Sequence, residues 1–344
     1  MISTDALIIG AGPVGLFQVF QLGLLEIKCH VIDALPYPGG QCIELYPDKP
    51  IYDIPGTPRT TGRELTASLL AQIKPFGAPM HLGHLVSSVE KSGAGRFQVE
   101  TSKGQHFSSK VIIIAAGIGA FQPKLLKIDG LAKFESSQLF YHTQPSKGVA
   151  DKRVVIVGGD DAALGCAIDL ATAGKAQRVT LIHRRDVYQA APGLIAKLHA
   201  MRDAKALHLM VGQVTGFEEQ SGELSAAQVT GVDGQAQAVC LDTMLVYLGL
   251  APKLGLIADW GLALDRKHVS VDTEKFATSI PGIFAVGDIN TYPGKKKLIL
   301  SGFHECALAA FGAAEIVFPG KITQLEYTTS STRLHRLLGA EGQT

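Results

Sequence analysis

Short apolar segments that end in glycine recur along the chain. Residues 6–10 (ALIIG) and 154–158 (VVIVG) share this pattern. Each is followed by a segment with helical periodicity and then by a second apolar strand, at residues 28–33 and 178–183 respectively. A strand, a glycine turn, a helix and a parallel strand form one βαβ unit of a dinucleotide-binding fold. The sequence therefore predicts an α/β protein with two Rossmann-like domains.

A third apolar segment lies near the C-terminus and indicates that the first domain is discontinuous. Residues 278–288 (TSIPGIFAVGD) form a strand-like run that ends in Gly287 and Asp288, and the Ala-rich residues 301–317 predict a helix. The chain is thus expected to return to its first domain after completing the second. We expect one domain from residues 1–120 and 250–344, and the other from residues 121–249.

Composition narrows the class of protein. The chain has 344 residues, and 32 Lys and Arg against 31 Asp and Glu give a net charge of +1, which argues against a nucleic-acid partner. The uninterrupted apolar runs are strand-sized, so we expect no membrane association. The first strand begins by Asp5, which leaves no room for a targeting segment.

The cysteines and histidines favour a reducing compartment and no metal. The five cysteines are scattered, and none forms a CxxC pair, so neither a disulfide framework nor a zinc ribbon is expected. No histidine pair has metal-ligand spacing. These features predict a cytoplasmic protein without a structural metal.

The first glycine turn has the spacing of a dinucleotide-binding site. Gly10 permits the tight turn, Gly12 lets the backbone approach a pyrophosphate, and Gly15 lets helix and strand pack closely. The helix that follows directs its free N–H groups at the phosphates. Asp33 ends the next strand, where an acid bonds ribose hydroxyls. The alternative is a glycine turn without a ligand.

The second glycine turn departs from this spacing. Gly158 and Gly159 precede Asp160, which replaces the second glycine, and Ala163 replaces the third. Alanine is an ordinary substitute at the last position. A carboxylate at Asp160 is expected to crowd and repel a phosphate.

The strand that follows the second turn ends in His183, Arg184 and Arg185 rather than in an acid. Arginine suits a 2′-phosphate through its charged fork. The two domains are thus expected to bind different nucleotides, with NADPH in the second. The alternative is an exposed basic turn.

A lone cysteine and a lysine triplet are two further features of the sequence. Cys42 has no cysteine partner five residues on, so we interpret it as a packed residue rather than a nucleophile. Lys295–Lys297, with Arg333 and Arg336, are either solvated or a docking site for an acidic partner.

At this point the chain resembles a known family, the thioredoxin-reductase-like ferredoxin–NADP⁺ reductases, which are bacterial homodimeric FAD enzymes. The similarity extends over essentially the full length. It rests on GAGPVG from Gly10, GGQCIELYPDKPIYDIPG from Gly39, AAGIGAFQPK from Ala115, HRRD from His183 and GDINTYPGKKKLILSGFHE from Gly287.

The resemblance implies cofactors, partners and residue roles. It implies non-covalent FAD, NADPH, a ferredoxin or similar acidic electron-transfer protein as partner, and a homodimer. Chemistry would be carried by FAD without a catalytic side chain, and Val86, after a strand at residues 81–85, would touch the adenine. The implied FAD contacts are Gly10, Gly12, Pro13, Gly15, Asp33, Gly40, Gln41, Tyr46, Val86, Phe121, Gly287, Asp288, Tyr327 and Thr329, with Tyr46 and Tyr327 stacked on opposite faces of the flavin. The implied NADPH contacts are Gly158, Gly159, Asp160, Ala163, His183, Arg184 and Arg185.

Two departures from the family pattern leave alternatives open. The family has glycine where this chain has Asp160, and arginine where it has Gln189. Asp160 repels a phosphate and Gln189 removes a charged phosphate contact, so NADPH is expected to bind weakly or with a reduced preference over NADH. The alternatives are a broader NAD(P)H oxidoreductase that reduces flavodoxin, quinone or free flavin, and a flavin-binding protein that no longer uses a nicotinamide.

Overall fold

The computed structural model describes residues 1–93, 95–141 and 149–340. The helices are α1 (Pro13–Leu24), α2 (Gln41–Leu45), α3 (Gly62–Ile73), α4 (Asp161–Ala173), α5 (Pro192–Asp203), α6 (Ile299–Val317) and α7 (Thr332–Leu337). The strands are β1 (Ile2–Ile9), β2 (Cys29–Asp33), β3 (Pro50–Ile51), β4 (Thr60–Thr61), β5 (Met80–Leu82), β6 (Val86–Lys91), β7 (Phe97–Thr101), β8 (His106–Ile114), β9 (Ala120–Pro123), β10 (Leu139–Tyr141), β11 (Arg153–Gly158), β12 (Arg178–His183), β13 (His208–Gln220), β14 (Glu223–Gly231), β15 (Ala236–Cys240), β16 (Thr243–Tyr247), β17 (Leu250–Lys253), β18 (Leu264–Asp265), β19 (His268–Ser270), β20 (Ile283–Ala285) and β21 (Asn290–Thr291).

The chain folds into two compact units. One comprises residues 1–121 and 252–344, and the other comprises residues 122–251. The strands β9 and β17 contain the two points at which the chain passes from one unit to the other.

The first unit is built on a mainly parallel sheet in the order β5-β2-β1-β8, with β20 beside the C-terminal half of β8 and the β7–β6 hairpin beside its N-terminal half. The inner strands are apolar on both faces because helices cover one side and other elements cover the opposite side. The glycine turn after β1, the end of β2 and the turn after β20 therefore meet at the carboxyl edge, where ligands bind in such sheets.

The second unit repeats this arrangement. Its sheet has the order β10-β16-β11-β12-β13, all parallel, and is extended by the antiparallel strands β14 and β15. The helix α4 follows β11 directly and packs on β11 and β12. The prediction of two Rossmann-like βαβ folds is confirmed.

The helix α6 extends the predicted helix by two residues at its start. It is 19 residues long with mean hydropathy 1.2, so by length and composition alone it could cross a membrane, which the short apolar runs of the sequence do not suggest. In the structure it packs against α1 and β8 and buries Glu305 and Cys306 completely. These contacts are those of a core helix in a folded domain.

Candidate functional site

A cleft of about 1130 Å³, counting the space at its open mouth, lies along the carboxyl edge of the first sheet. The ends of β1 and β2 and the turns that follow β8 and β20 all contribute to it. Its lining includes the predicted residues Gly10, Gly12, Pro13, Asp33, Gly40, Gln41, Tyr46, Val86, Gly287 and Asp288. These positions are far apart in the chain, and the sheet topology brings them together.

The first glycine turn is shaped by close backbone contacts. Gly10 has φ +114°, and a Cβ there would lie 2.3 Å from the carbonyl oxygen of Ala115. Gly15 lies behind the cleft rather than in it, and a Cβ there would lie 1.9 Å from the carbonyl oxygen of Gly10. At Gly12, which caps α1, the nearest atom to such a Cβ is 3.9 Å away, so this position is open toward the cleft. Gly12 makes no side-chain cap, which leaves the first N–H groups of α1 for an anion.

Asp33 is held by the backbone at the end of β2. Its carboxylate accepts hydrogen bonds from the N–H groups of Ala11 (2.5 Å) and Leu35 (2.7 Å). Burial raises the pKa of Asp33, and the two backbone donors oppose that rise. The carboxylate also lines the cleft, so it can bond a hydroxyl there.

A second wall of the cleft is formed by α2 and the turn after β20. Gln41 donates through Nε2 to Asp288 Oδ2 at 3.3 Å, and the Cys42 thiol donates to the hydroxyl of Tyr46 at 3.5 Å. Burial raises the pKa of both Cys42 and Tyr46. Cys42 is therefore a packed thiol, in agreement with its expected structural role.

The structure corrects one strand boundary and places two of the implied flavin contacts outside the cleft of their own chain. The strand expected at residues 81–85 ends at Leu82, and Val86 instead begins β6, although its position still lines the cleft. Tyr327 is 68% exposed and Thr329 is also exposed, and neither lines the cleft of its own chain. The side chain of Phe121 lies outside the described residues.

Lys295 corrects the expectation of a solvated lysine cluster. Its side chain is only 7% exposed and pairs with the fully buried Glu305. A buried, paired ammonium cannot attract a partner from solution, so the docking interpretation of Lys295 is wrong. Lys296 and Lys297 are exposed, and Arg333 is paired with Glu26 and Glu326.

The second glycine turn lies after β11. A Cβ at Gly158 would lie 2.4 Å from the carbonyl oxygen of Tyr247, and one at Gly159 would lie 2.4 Å from the ring of His183. Asp160 caps α4, and its Oδ1 accepts the N–H of Ala163 at 2.9 Å. The carboxylate thus occupies a helix donor that Gly12 leaves open in the first unit.

The loop after β12 is fastened to this turn. The N–H of Gln189 donates to the carbonyl oxygen of Gly159 at 2.8 Å, and the N–H of Ala191 donates to Asp161 Oδ1 at 2.7 Å. Arg184 and Arg185 project from the loop and are exposed. Burial, followed by the charge of Arg184, lowers the pKa of His183. A neutral imidazole of His183 therefore covers Gly159, and the guanidinium groups of Arg184 and Arg185 are exposed to solvent.

The comparisons with known proteins agree with this geometry. Residues 4–306 match the family model described as pyridine nucleotide-disulphide oxidoreductase. This chain belongs to that family. It is an oxidoreductase, and the sequence resemblance is confirmed by its relatives.

Several family members share most of their sequence with this oxidoreductase. A protein of Polaromonas sp. (strain JS666) named ferredoxin–NADP reductase is 63% identical over 342 residues, which cover 99% of this chain and 93% of the relative. One of the same name from Albidiferax ferrireducens is 64% identical, with 99% and 97% covered.

Solved structures share the fold of this chain. A thioredoxin reductase from Gloeobacter violaceus matches with a TM-score of 0.60 at 22% identity, covering 95% of this chain and 98% of that one. The bacillithiol disulfide reductase of Staphylococcus aureus matches with a TM-score of 0.55 at 18% identity, covering 91% and 99%. The predicted thioredoxin-reductase-like architecture is confirmed.

The sequence did not indicate several residues of this oxidoreductase's cleft. His84, Trp260 and Lys297 line it, and Lys297 Nζ lies 2.6 Å from Nε2 of His268. Leu254, Leu256 and Ile257 join Trp260 from the segment that follows β17. The position of this segment in the sequence could have indicated its role, because it begins where the chain returns to the first unit.

Proposed function

We propose that this protein passes electrons between NADPH and ferredoxin, with FAD as its resident cofactor. The observation that carries the proposal is the cleft of the first unit, in which an open glycine turn and Asp33 lie side by side at the carboxyl edge of one βαβ unit. When bound, FAD supplies the conversion between two-electron hydride chemistry and one-electron transfer. The relatives named ferredoxin–NADP reductase support the choice of electron partners.

The cleft residues fit FAD in chemistry and in space. Gly12 offers open backbone and a helix N-terminus for the pyrophosphate. Asp33 offers a fixed carboxylate for the adenosine ribose, and Val86 offers an apolar surface for adenine. Gln41, Tyr46 and Asp288 offer polar and aromatic contacts for the flavin end.

The second unit is the proposed NADPH domain. Gly158 and Gly159 bring the backbone close to the start of α4, and Arg184 and Arg185 provide charged forks for a 2′-phosphate. His183 covers the glycine turn, and Ala163 packs against it. The domain assignment thus follows the two glycine turns, with FAD in residues 1–121 and 252–344.

The electron route is proposed to avoid thiols. No two of the five cysteines form a CxxC pair, so no such dithiol is present to exchange with a thioredoxin. Ferredoxin accepts single electrons at an iron–sulfur cluster, which needs no such pair. We further propose a homodimer, in which Tyr327 and Thr329 reach the cleft of a second copy, and a cytoplasmic location that keeps the free cysteines reduced.

A broader NAD(P)H oxidoreductase is the second candidate, and Gln189 favours it because it adds no positive charge for the 2′-phosphate that distinguishes NADPH from NADH. The carboxylate of Asp160 at the start of α4 opposes the pyrophosphate that both coenzymes share, and so weakens the binding of both. Such an enzyme would use NADH and NADPH alike and would reduce flavodoxin, quinone or free flavin.

One assay separates the candidates. The purified protein should contain FAD in about equimolar amount and should reduce ferredoxin with NADPH several times faster than with NADH. Equal rates with both coenzymes, together with faster turnover of quinone or free flavin than of ferredoxin, would favour the second candidate. Protein that holds FAD but is reduced by neither coenzyme would be a flavin-binding protein.

A further inference from the structure

Glu305 is a carboxylate with no exposure to solvent, and nothing in the cleft chemistry described so far uses it. It lies on α6 and is 0% exposed. Oε2 accepts hydrogen bonds from the N–H of Gly287 at 2.6 Å and from Asn290 Nδ2 at 2.8 Å. Oε1 accepts from the hydroxyl of Tyr292 at 3.0 Å and from Nζ of Lys295.

The Glu305–Lys295 ion pair hydrogen-bonds both backbone groups of Gly287. Glu305 takes the N–H of Gly287, and Lys295 donates to the carbonyl oxygen of Gly287 at 2.9 Å. Gly287 has φ +79° and begins the short 3₁₀ helix Gly287–Ile289. Asp288, the next residue, lines the cleft and accepts from Gln41.

Stability alone does not explain such a pair. Burying two opposite charges costs about as much desolvation as their attraction returns, and apolar replacements of similar volume are often neutral or stabilising. What a charged pair adds over apolar side chains is direction, because each hydrogen bond fixes one atom of the turn. The same network also ties Asn290 to the carbonyl oxygen of Ala285 at 2.8 Å, so both ends of the turn are held.

We propose that Glu305 and Lys295 are positioning residues that hold the Gly287–Asp288 turn in the orientation that binds the cofactor. This inference rests on the proposed binding of FAD in the cleft. Lys295 thereby takes a role inside the protein, whereas Lys296 and Lys297 are exposed and Lys297 contacts His268.

The test replaces the pair without leaving a buried charge. The double variant Glu305→Met with Lys295→Met is compared with Glu315→Gln, which removes an exposed carboxylate on the same helix that pairs with Lys275 at 2.7 Å. The dissociation constant of FAD is measured by diluting each holoenzyme and following released flavin fluorescence, and the unfolding midpoint is measured without added FAD.

The expected result separates positioning from stability. The double variant should bind FAD about tenfold more weakly or worse, since charged hydrogen bonds to the turn are lost. Its unfolding midpoint should stay close to that of wild type, and Glu315→Gln should change neither quantity. Unchanged FAD affinity in the double variant overturns the inference while leaving the proposed function intact. If wild type and Glu315→Gln both fail to hold FAD, the proposed function and the inference fall together.

A milder variant covers the case in which the double variant does not fold. Tyr292→Phe removes one donor to Glu305 and leaves the ring in place. FAD should then leave the holoenzyme about fivefold faster, in line with the loss of one buried hydrogen bond. An unchanged release rate would contradict the positioning role.

Discussion

A single carboxylate distinguishes the two glycine turns of this protein. Gly12 and Asp160 both cap the helix that follows, with φ −70° and −99° and the same ψ of 178°. The backbone therefore tolerates either residue, and the difference is chemical. Asp160 occupies the N–H of Ala163, whereas Gly12 leaves its helix donors open.

Removing that carboxylate should strengthen coenzyme binding. Asp160→Gly frees the N–H of Ala163 and removes a negative charge from the phosphate site, so the dissociation constant for NADPH should fall about tenfold. Asp160→Asn keeps a helix cap without the charge, so its dissociation constant for NADPH should lie between those of the wild type and Asp160→Gly. Both constants can be measured by titration calorimetry. An unchanged or weaker affinity in Asp160→Gly would show that the carboxylate does not compete with the coenzyme.

Lys295 and Glu305 mark the limit of prediction at this scale. A triplet of lysines in a loop predicts a solvated surface, since lysine is rarely buried unless paired. Its partner lies ten residues away on α6, and only the fold brings the two together. By contrast, Gly10, Gly12 and Asp33 were found from spacing because all three belong to one βαβ unit, whose pattern is local in the sequence.

At the level of elements, two glycines in equivalent helices should respond oppositely to alanine. Gly15 in α1 packs on Gly10, so Gly15→Ala must displace backbone and should lower the free energy of unfolding by about 1–3 kcal/mol or more. A Cβ at Gly165 in α4 meets nothing within 4 Å, so Gly165→Ala should raise it by up to about 1 kcal/mol. Urea unfolding of the two variants measures both changes. A stabilised Gly15→Ala would refute the close packing of α1 on β1.

The edge strand β5 and its neighbour β2 carry a histidine pair that should make the first unit sensitive to acid. His30 Nδ1 lies 2.9 Å from His81 Nε2, and His84 lies beyond them at the cleft. Burial lowers the pKa of all three below 6.5. The charges of His30 and His84 lower that of His81 further, and Lys103 does so for His84.

The direction in which stability changes with pH follows from these lowered pKa values. A histidine whose folded-state pKa is lowered contributes stability above 6.5, and that contribution is lost as the pH falls from 6.5 through the folded-state pKa. The thermal unfolding midpoint of the wild type should therefore decrease when the pH is lowered from 7.5 to 5.5. His81→Gln should show a smaller decrease, and the exposed His106→Gln should match the wild type. Equal decreases in all three proteins would exclude the pair as the cause.

For the whole molecule, the C-terminal segment bears apolar side chains that the described part of the chain leaves exposed. Ile322, Leu325 and Tyr327 are 85%, 65% and 68% exposed. Their exposure supports a second copy as the covering surface. Wild type should sediment as a dimer, and Tyr327→Ala should shift the visible flavin spectrum while FAD stays bound. A monomeric wild type with an unaltered variant spectrum would contradict the exchange of Tyr327 between copies.

The architecture was predictable where one pattern repeats, and the site was predictable only in part. Two glycine turns 148 residues apart, at Gly10 and Gly158, predicted the paired folds, and the apolar segment that ends in Gly287 predicted the return of the chain to the first unit. The segment at residues 254–260 and the cluster around Glu305 were missed, because their contacts depend on long-range packing that no local spacing reports.

The most direct test of the electron route is an anaerobic titration of the purified flavoprotein with NADPH and then NADH. Wild type should lose its visible flavin absorbance with NADPH more rapidly than with NADH, because Arg184 and Arg185 are available for the 2′-phosphate. The double variant Arg184→Gln with Arg185→Gln should reduce the rate of flavin bleaching by NADPH about tenfold or more and leave the rate with NADH unchanged. Absence of bleaching by either coenzyme would contradict hydride delivery from the second unit.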